Sequence, residues 1–286
     1  MNFKSAKVHF FLIVFLTGCL SFNVYSQKAK FYVLVYKYKE GDKYRITAST
    51  YKNFSTTAGT FTNSFSGETS FDLFQEIEGA DDEAADMKIR IELTRQTENG
   101  KNLTYKLSKV FKGDELRLTF DRFGRILPKS VQYQYSDSQR VHQSESLSLL
   151  RNIFVPLPDR ALKAGDTWDV TEVFEAEQLA ALAGSSYGIK RPDVRGLYTL
   201  ESVDEGVAKI VLHLEVSGNG KLVELKDSPE LDFLLQIEGI FYFEIAEGKI
   251  VNGSITTEAV GVTSMADAII DFKGSLMSTF TMEKYK

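Results

Sequence analysis

Apolar and polar side chains alternate over most of the chain from Phe31 onward, and any fold for this sequence must satisfy that period of two. Met87, Ile89, Ile91 and Leu93 interleave with Lys88, Arg90, Glu92 and Thr94. Ala208, Ile210, Leu212, Leu214 and Val216 alternate as strictly, and Ile270, Phe272, Leu276, Phe280 and Met282 all fall on even positions. In an extended chain successive side chains point to opposite faces, so these stretches read as strands with one face buried. Asn99-Gly100 and Asp204-Glu205-Gly206 carry hairpin-turn chemistry. Gly67-Glu68 and Gly218-Asn219-Gly220 read as further bends, and Leu103, Tyr105 and Leu107 as a returning strand. Roughly a dozen strands joined by short turns predict a mainly β fold, an antiparallel sandwich or half-open barrel.

The period changes twice. Asp137 or Ser138 caps an expected helix reaching about Phe154, with Val141, Leu147, Leu150 and Phe154 on one face, and Pro156 and Pro158 end it. Ala176 to Ala183 is a second short helix closed by Gly184.

One motif occurs twice. Lys39-Glu40-Gly41-Asp42-Lys43-Tyr44 and Lys163-Ala164-Gly165-Asp166-Thr167-Trp168 share Lys-x-Gly-Asp-x-aromatic, followed by a β-branched residue and Thr. Gly accepts positive φ and Asp bonds its own downstream backbone, so each copy is a tight turn feeding a strand with a large aromatic just inside. Gly124 and Gly248 are also spaced by the interval that separates Gly41 from Gly165, with one extra residue before Gly248 that a bulge absorbs. A third such turn at Gly113-Asp114 lies off this interval. The chain therefore divides into residues 1–26, a first β half over 27–158 ending in a helix, and a second β half over 159–286. The two halves are a duplication or a recurrence of common hairpin turns.

The first residues read as an export leader: Lys4 and Lys7 precede a nearly apolar run from Phe10 to Phe22, too short to span a bilayer. Cleavage after Ser26, leaving Gln27 first, competes with lipidation of Cys19 in Leu16-Thr17-Gly18-Cys19. The Ser26 cut is preferred because Leu20 and Phe22 continue the apolar run. Cys19 is the only cysteine, so with that cut the mature chain has no disulfide, thiolate metal site or cysteine nucleophile. Loss of Lys4 and Lys7 takes the formal net charge from −5 to −7. Such a balance argues against electrostatic binding to nucleic acid or anionic lipid. Membrane association is expected only through a lipid on Cys19.

Reactive constellations are sparse. His142 falls on the first expected helix, and His213 lies opposite Leu212 and Leu214 and so faces solvent. Two isolated histidines make no zinc site. Asp81, Asp82, Glu83 and Asp86 lack the spacing of a calcium loop and read as a solvated connection. Ser185, Ser186 and Ser254 lack a nucleophile elbow. The expectation is no catalytic residue, no metal and no cofactor. Tyr133, Tyr135, Phe241 and Tyr242 sit on strands and serve either as core or as the lining of a groove for an acyl chain or sugar.

Tyr38 to Arg45, Leu157-Pro158-Asp159 followed by Gly165-Asp166-Thr167-Trp168, and Val207-Ala208-Lys209-Ile210 resemble a family of secreted bacterial β-rich proteins of unknown function. More distantly the chain resembles lipoprotein carriers, incomplete antiparallel barrels wrapped around a helix. These resemblances imply an exported, non-enzymatic envelope protein, periplasmic, outer-envelope or secreted. Its expected ligand is a lipid or other apolar molecule, held between the sheet halves with the 138–154 helix across it. The alternative is a structural protein that docks an envelope partner through its sheet surface.

Overall fold

A computed structural model describes residues 29–105, 115–127, 130–134, 150, 153–170, 187–189, 193–222, 230–265 and 268–285. The body from Phe31 onward contains β1 (Lys43–Ala58), β2 (Phe61–Ala80), β3 (Ala84–Glu98), β4 (Lys101–Asn102), β5 (Glu115–Asp121), β6 (Gln132–Gln134) and β7 (Thr167–Asp169). After these come β8 (Tyr187–Ile189), β9 (Asp193–Asp204), β10 (Val207–Leu222), β11 (Glu230–Glu244), β12 (Lys249–Met265) and β13 (Ala268–Lys284). All belong to one open antiparallel sheet that does not close into a barrel, in the order β6-β5-β3-β2-β1-β13-β12-β11-β10-β9-β7, with β4 added on β3 and β8 on β10. The strands nearest the two ends of the body, β1 and β13, pair in the centre, from Tyr44↔Lys284 to Ala58↔Ile270. The sheet's free edges come from the middle of the chain.

The alternation sorts the two faces as expected. Ile46, Leu73, Met87 and Ile89 are buried on one face, and so are Ile210, Leu212, Phe241 and Phe243. The opposite face carries cross-strand charge pairs such as Arg45–Asp72 at 2.7 Å and Lys43–Glu76 at 3.2 Å. The buried face must curl on itself. Phe120 on β5 and Phe243 on β11 are six strand steps apart, ~29 Å on a flat sheet. Instead, ring contacts of 4.4 Å (Phe120–Phe154), 6.0 Å (Phe154–Tyr36) and 5.3 Å (Tyr36–Phe243) link them.

Two extended straps fill the curl, one over 31–38 and one over 153–162. They form an antiparallel bridge at Tyr32↔Leu162. The first donates Tyr36 N to Arg122 O (2.8 Å) and Lys37 N to Gly248 O (3.0 Å), so adjacent amides hold turns from the two halves. The second donates Leu157 N to Phe123 O (2.8 Å) and accepts at Val155 O from the Tyr36 hydroxyl (3.1 Å). Leu34, Leu150, Ile153, Phe154, Leu157 and Leu162 are all buried there.

Three local expectations are corrected. β2 runs straight through Gly67-Glu68, which pair with Lys52 and Tyr51. β10 runs through Gly218-Asn219-Gly220, paired with Phe233, Asp232 and Leu231. In both places a continuous neighbouring strand overrides the local turn preference. The strand expected at Leu103, Tyr105 and Leu107 ends at Asn102, and Tyr105 is exposed. Of the two expected helices, only Leu150, Ile153 and Phe154 are described; Phe154 N donates to Leu150 O at 3.0 Å, a helical interval. The rest of both helices and the Gly113-Asp114 turn lie outside the described residues.

Gly124 shows how tightly the first strap is seated. Its φ is +78°, and a Cβ there would collide with the Tyr36 ring and lie 3.0 Å from Val155 O. Gly206 has a similar φ of +84° with nothing within 4 Å. Gly206→Ala should cost about 1 kcal/mol of unfolding free energy, the backbone cost alone. Gly124→Ala should cost roughly 2 kcal/mol more because the ring must move. Urea denaturation of the two variants checks this, and equal costs would show that the strap yields freely.

Candidate functional site

The glycine, aspartate and aromatic of the repeated motif each have a structural job. Gly41 (φ +83°) and Gly165 (φ +90°) turn the chain identically. Gly41 N donates to Ile77 O and Ile77 N returns to Asp42 O, both at 2.9 Å; Gly165 N donates to Leu200 O (2.7 Å) and Leu200 N to Asp166 O (3.0 Å). The next residues enter β1 and β7 with Tyr44 and Trp168 buried. Trp168 stacks on Tyr198 at 5.4 Å and donates Nε1 to Pro156 O at 3.1 Å. The motif latches β1 onto β2 and β7 onto β9.

The other candidates separate. Cys19, Ser26, Gln27, Tyr135, His142, Ser185 and Ser186 lie outside the described residues. Tyr133 is on β6. His213 is exposed, 3.8 Å from the Glu238 carboxylate. In the acidic run, Asp81 Oδ1 accepts from Glu83 N and Ala84 N at 2.8 Å, which lowers its pKa. Glu83 pairs with Arg122 at 3.3 Å, and Asp86 accepts from Thr119 at 2.6 Å. The run builds the β2–β3 turn. Phe241 is core, and Tyr242 is exposed on the opposite face. Ser254 is half-buried on β12.

Between the halves, where an apolar ligand was expected, the straps bury Leu34, Tyr36, Phe154 and Leu157. A large concavity lies on the other face of the sheet, near the tips of four adjacent strands. It holds about 610 Å3. Two cross-strand rows line it: Leu234–Val260–Lys273–Ser55, and Asp232–Val262–Asp271–Thr57, each taken in the order β11, β12, β13, β1. Its apolar floor is Leu234, Val260 and Val262; the two valines are 43% and 47% exposed. Carboxylates flank Val262 on both sides, and Asp232 accepts from the Asn219 amide at 2.8 Å. The groove can hold an apolar group against the valines while its polar rim meets water.

This site has a sequence signal that the alternation reading did not use. Ser254, Thr256 and Glu258 share a face with Val260 and Val262, whereas Ile255, Ala259 and Gly261 face inward. Polarity therefore reverses along β12, with apolar side chains outside and a glycine inside.

No protein-family model matches the chain, and no curated protein matches it. Among solved structures, DynF from the dynemicin biosynthesis pathway of Micromonospora chersina is 6% identical with a TM-score of 0.22, over 89% of this chain and 86% of that one. An outer membrane channel from Pseudomonas putida F1 is 8% identical with a TM-score of 0.21, over 87% and 97%. Likenesses at this level carry no argument about fold or function.

The latch does make a pH prediction. Burial opposes ionisation of Asp42, but hydrogen bonds from Lys284 (2.7 Å) and Tyr44 (3.1 Å), with the charges of Lys284 and Lys39, outweigh it and lower the Asp42 pKa below 3.8. A carboxylate lowered on folding stabilises the fold above its unfolded pKa, and that stability is lost as pH falls through the folded value. Asp42→Asn should therefore lower stability at neutral pH and narrow the gap to wild type below pH ~4. Thermal melts across pH 3–7 test this, and a constant gap would refute it.

Proposed function

We propose that this chain is an exported, non-enzymatic cell-envelope protein that binds a lipid or other apolar ligand in the groove over Val260 and Val262. The observation that carries the reading is the groove itself. Its volume of about 610 Å3 is in the range of small-molecule sites, and its floor exposes valines where an outward strand position normally carries a polar side chain. The charged and apolar N-terminal stretch supports export, with Gln27 as the first mature residue and lipidation at Cys19 as the competing outcome. The resemblance to lipoprotein carriers agrees in ligand class but puts the ligand inside the curl, where the straps sit.

Native mass spectrometry of the protein from its own envelope tests the reading as a whole. The expected spectrum shows a chain starting at Gln27 with an apolar small molecule retained at moderate activation. A chain that retains residues 1–26 would overturn the export reading. Displacement of a fluorescent fatty-acid probe tests the groove separately. Val260→Asp should weaken probe binding at least tenfold, or about 1.4 kcal/mol, while Val33→Asp, on an exposed residue of the first strap, leaves it unchanged. Equal binding by both variants would move the site elsewhere.

A further inference from the structure

A second depression lies beyond Lys273 on the same face of β13 and β1. On β13 the next residues on the same face are Ser275 and Met277, and on β1 Ser55 is followed by Asn53 and Tyr51. These line the second depression, which holds about 330 Å3, together with Ser66, Glu68 and Thr97 from β2 and β3. The two depressions follow one another along β1 and β13. The path from Asp271 to Met277 covers six residues, roughly 20 Å of strand.

The chemistry changes along that path. One end offers Leu234, Val260 and Val262. The other offers a tyrosine ring that is 53% exposed, beside Met277. Tyr51 pairs directly across the sheet with both Met277 and Glu68. The Glu68 carboxylate is only 16% exposed and is fixed by Arg95 at 3.0 Å. The Asn53 amide and the hydroxyls of Ser66, Ser275 and Thr97 add donors and acceptors around the ring. A half-exposed aromatic face set among a fixed carboxylate, an amide and hydroxyls suits a sugar, which has apolar C–H faces and a girdle of hydroxyls.

We infer that the two depressions together take a glycolipid, with the acyl chain over Val260 and Val262 and the sugar over Tyr51. This rests on the reading of the Val260 groove as a ligand site and specifies its ligand. Recognition is additive along the strands: the valine end binds any apolar chain, and the tyrosine end selects chains that carry a sugar. A free oligosaccharide lacks the apolar contribution, and a free fatty chain leaves Tyr51 and Glu68 unused.

Calorimetric titration with decyl maltoside, decanol and maltose, each below any micelle concentration, tests the inference. Decyl maltoside should bind about tenfold more tightly than decanol, a difference of about 1.4 kcal/mol. Maltose alone should bind more weakly than either. Tyr51→Ala should remove the advantage of decyl maltoside over decanol and leave decanol binding as in wild type. Tyr51 is an outward side chain, so an unchanged melting temperature would show that the fold is intact. An advantage that survives Tyr51→Ala, or is absent in wild type, overturns the glycolipid assignment while the apolar groove stands. Absence of decyl maltoside binding in this concentration range overturns it as well. Failure of decanol to bind at all removes the groove reading and this inference with it.

Discussion

The adjacent amides of Tyr36 and Lys37 hold the curl together. One donates to the turn after β5 and the other to the turn after β11, so a single step of backbone ties strands that lie six apart in the sheet. Each such bond contributes about 1 kcal/mol net. Fully burying a large apolar side chain contributes more, ~1.5–3 kcal/mol, and the Tyr36 ring buries against Phe154 and Phe243 while Phe154 buries against Phe120. Packing therefore drives the closure. The two amides decide which turns meet, because an off-register strap would leave its N–H groups buried without acceptors. Burial also raises the pKa of Tyr36 well above its ordinary value, so the phenol stays neutral and keeps donating to Val155 O.

The two halves match strand for strand around this tie. β1-β2-β3-β5-β6 corresponds to β7-β9-β10-β11-β12, and each set begins with the Gly-Asp latch. Ala85↔Phe120 between β3 and β5 has its counterpart in Ala208↔Phe243 between β10 and β11. Phe120↔Ile126 across the first turn is repeated by Phe243↔Ile250 across the second, where β11 and β12 shift register at Tyr242/Phe243. The strap before β1 donates both to Arg122 in its own half and to Gly248 in the other, and the strap before β7 donates from Leu157 to Phe123. Side chains from both straps, Leu34, Tyr36, Phe154 and Leu157 among them, belong to one continuous core. β13 joins them, paired with β12 on one side and β1 on the other.

Much of this was legible in the residues, for a definable reason. Alternation reports burial directly, so the inward sets Met87–Leu93 and Ala208–Val216, the outward His213, and the true turns at Asn99-Gly100 and Glu205-Gly206 could be read without neighbours. The latch was legible because positive φ at Gly41 and Gly165 is a local requirement; the Asp side chains bond otherwise than expected, Asp166 back to Lys163 N and Asp42 to the side chains of Lys284 and Tyr44. Pairing partners are not local. Gly67 and Gly218-Asn219-Gly220 carry turn chemistry yet lie inside strands, because long neighbouring strands satisfy their backbone groups. The straps were invisible for the same reason. Leu34, Tyr36 and Leu157 have no periodic signature, and their burial depends on turns that are distant in sequence.

The groove follows from the same logic in reverse. Folding uses only one face of the sheet, and its apolar side chains are explained once the curl is filled. The outer face has no folding reason to be apolar, and over β1, β2 and β13 it carries Thr47, Ser49, Ser70, Ser66, Thr279 and Ser275 beside Tyr51, Phe74 and Met277. Val260 and Val262 are among the outward apolar side chains of the sheet, with Ile240, Tyr242 and Met277 elsewhere on it, and they lie at the tip region where the latches and straps do not reach. Inward, β12 at this level has Gly261 beside Phe272, which supplies the ring for both positions. The valines therefore add little to the core, and exposing apolar surface to water carries a cost that scales with its area. A ligand that covers them recovers that cost. A ligand with a sugar at one end would also use Tyr51, a large side chain of the second depression that the fold leaves exposed.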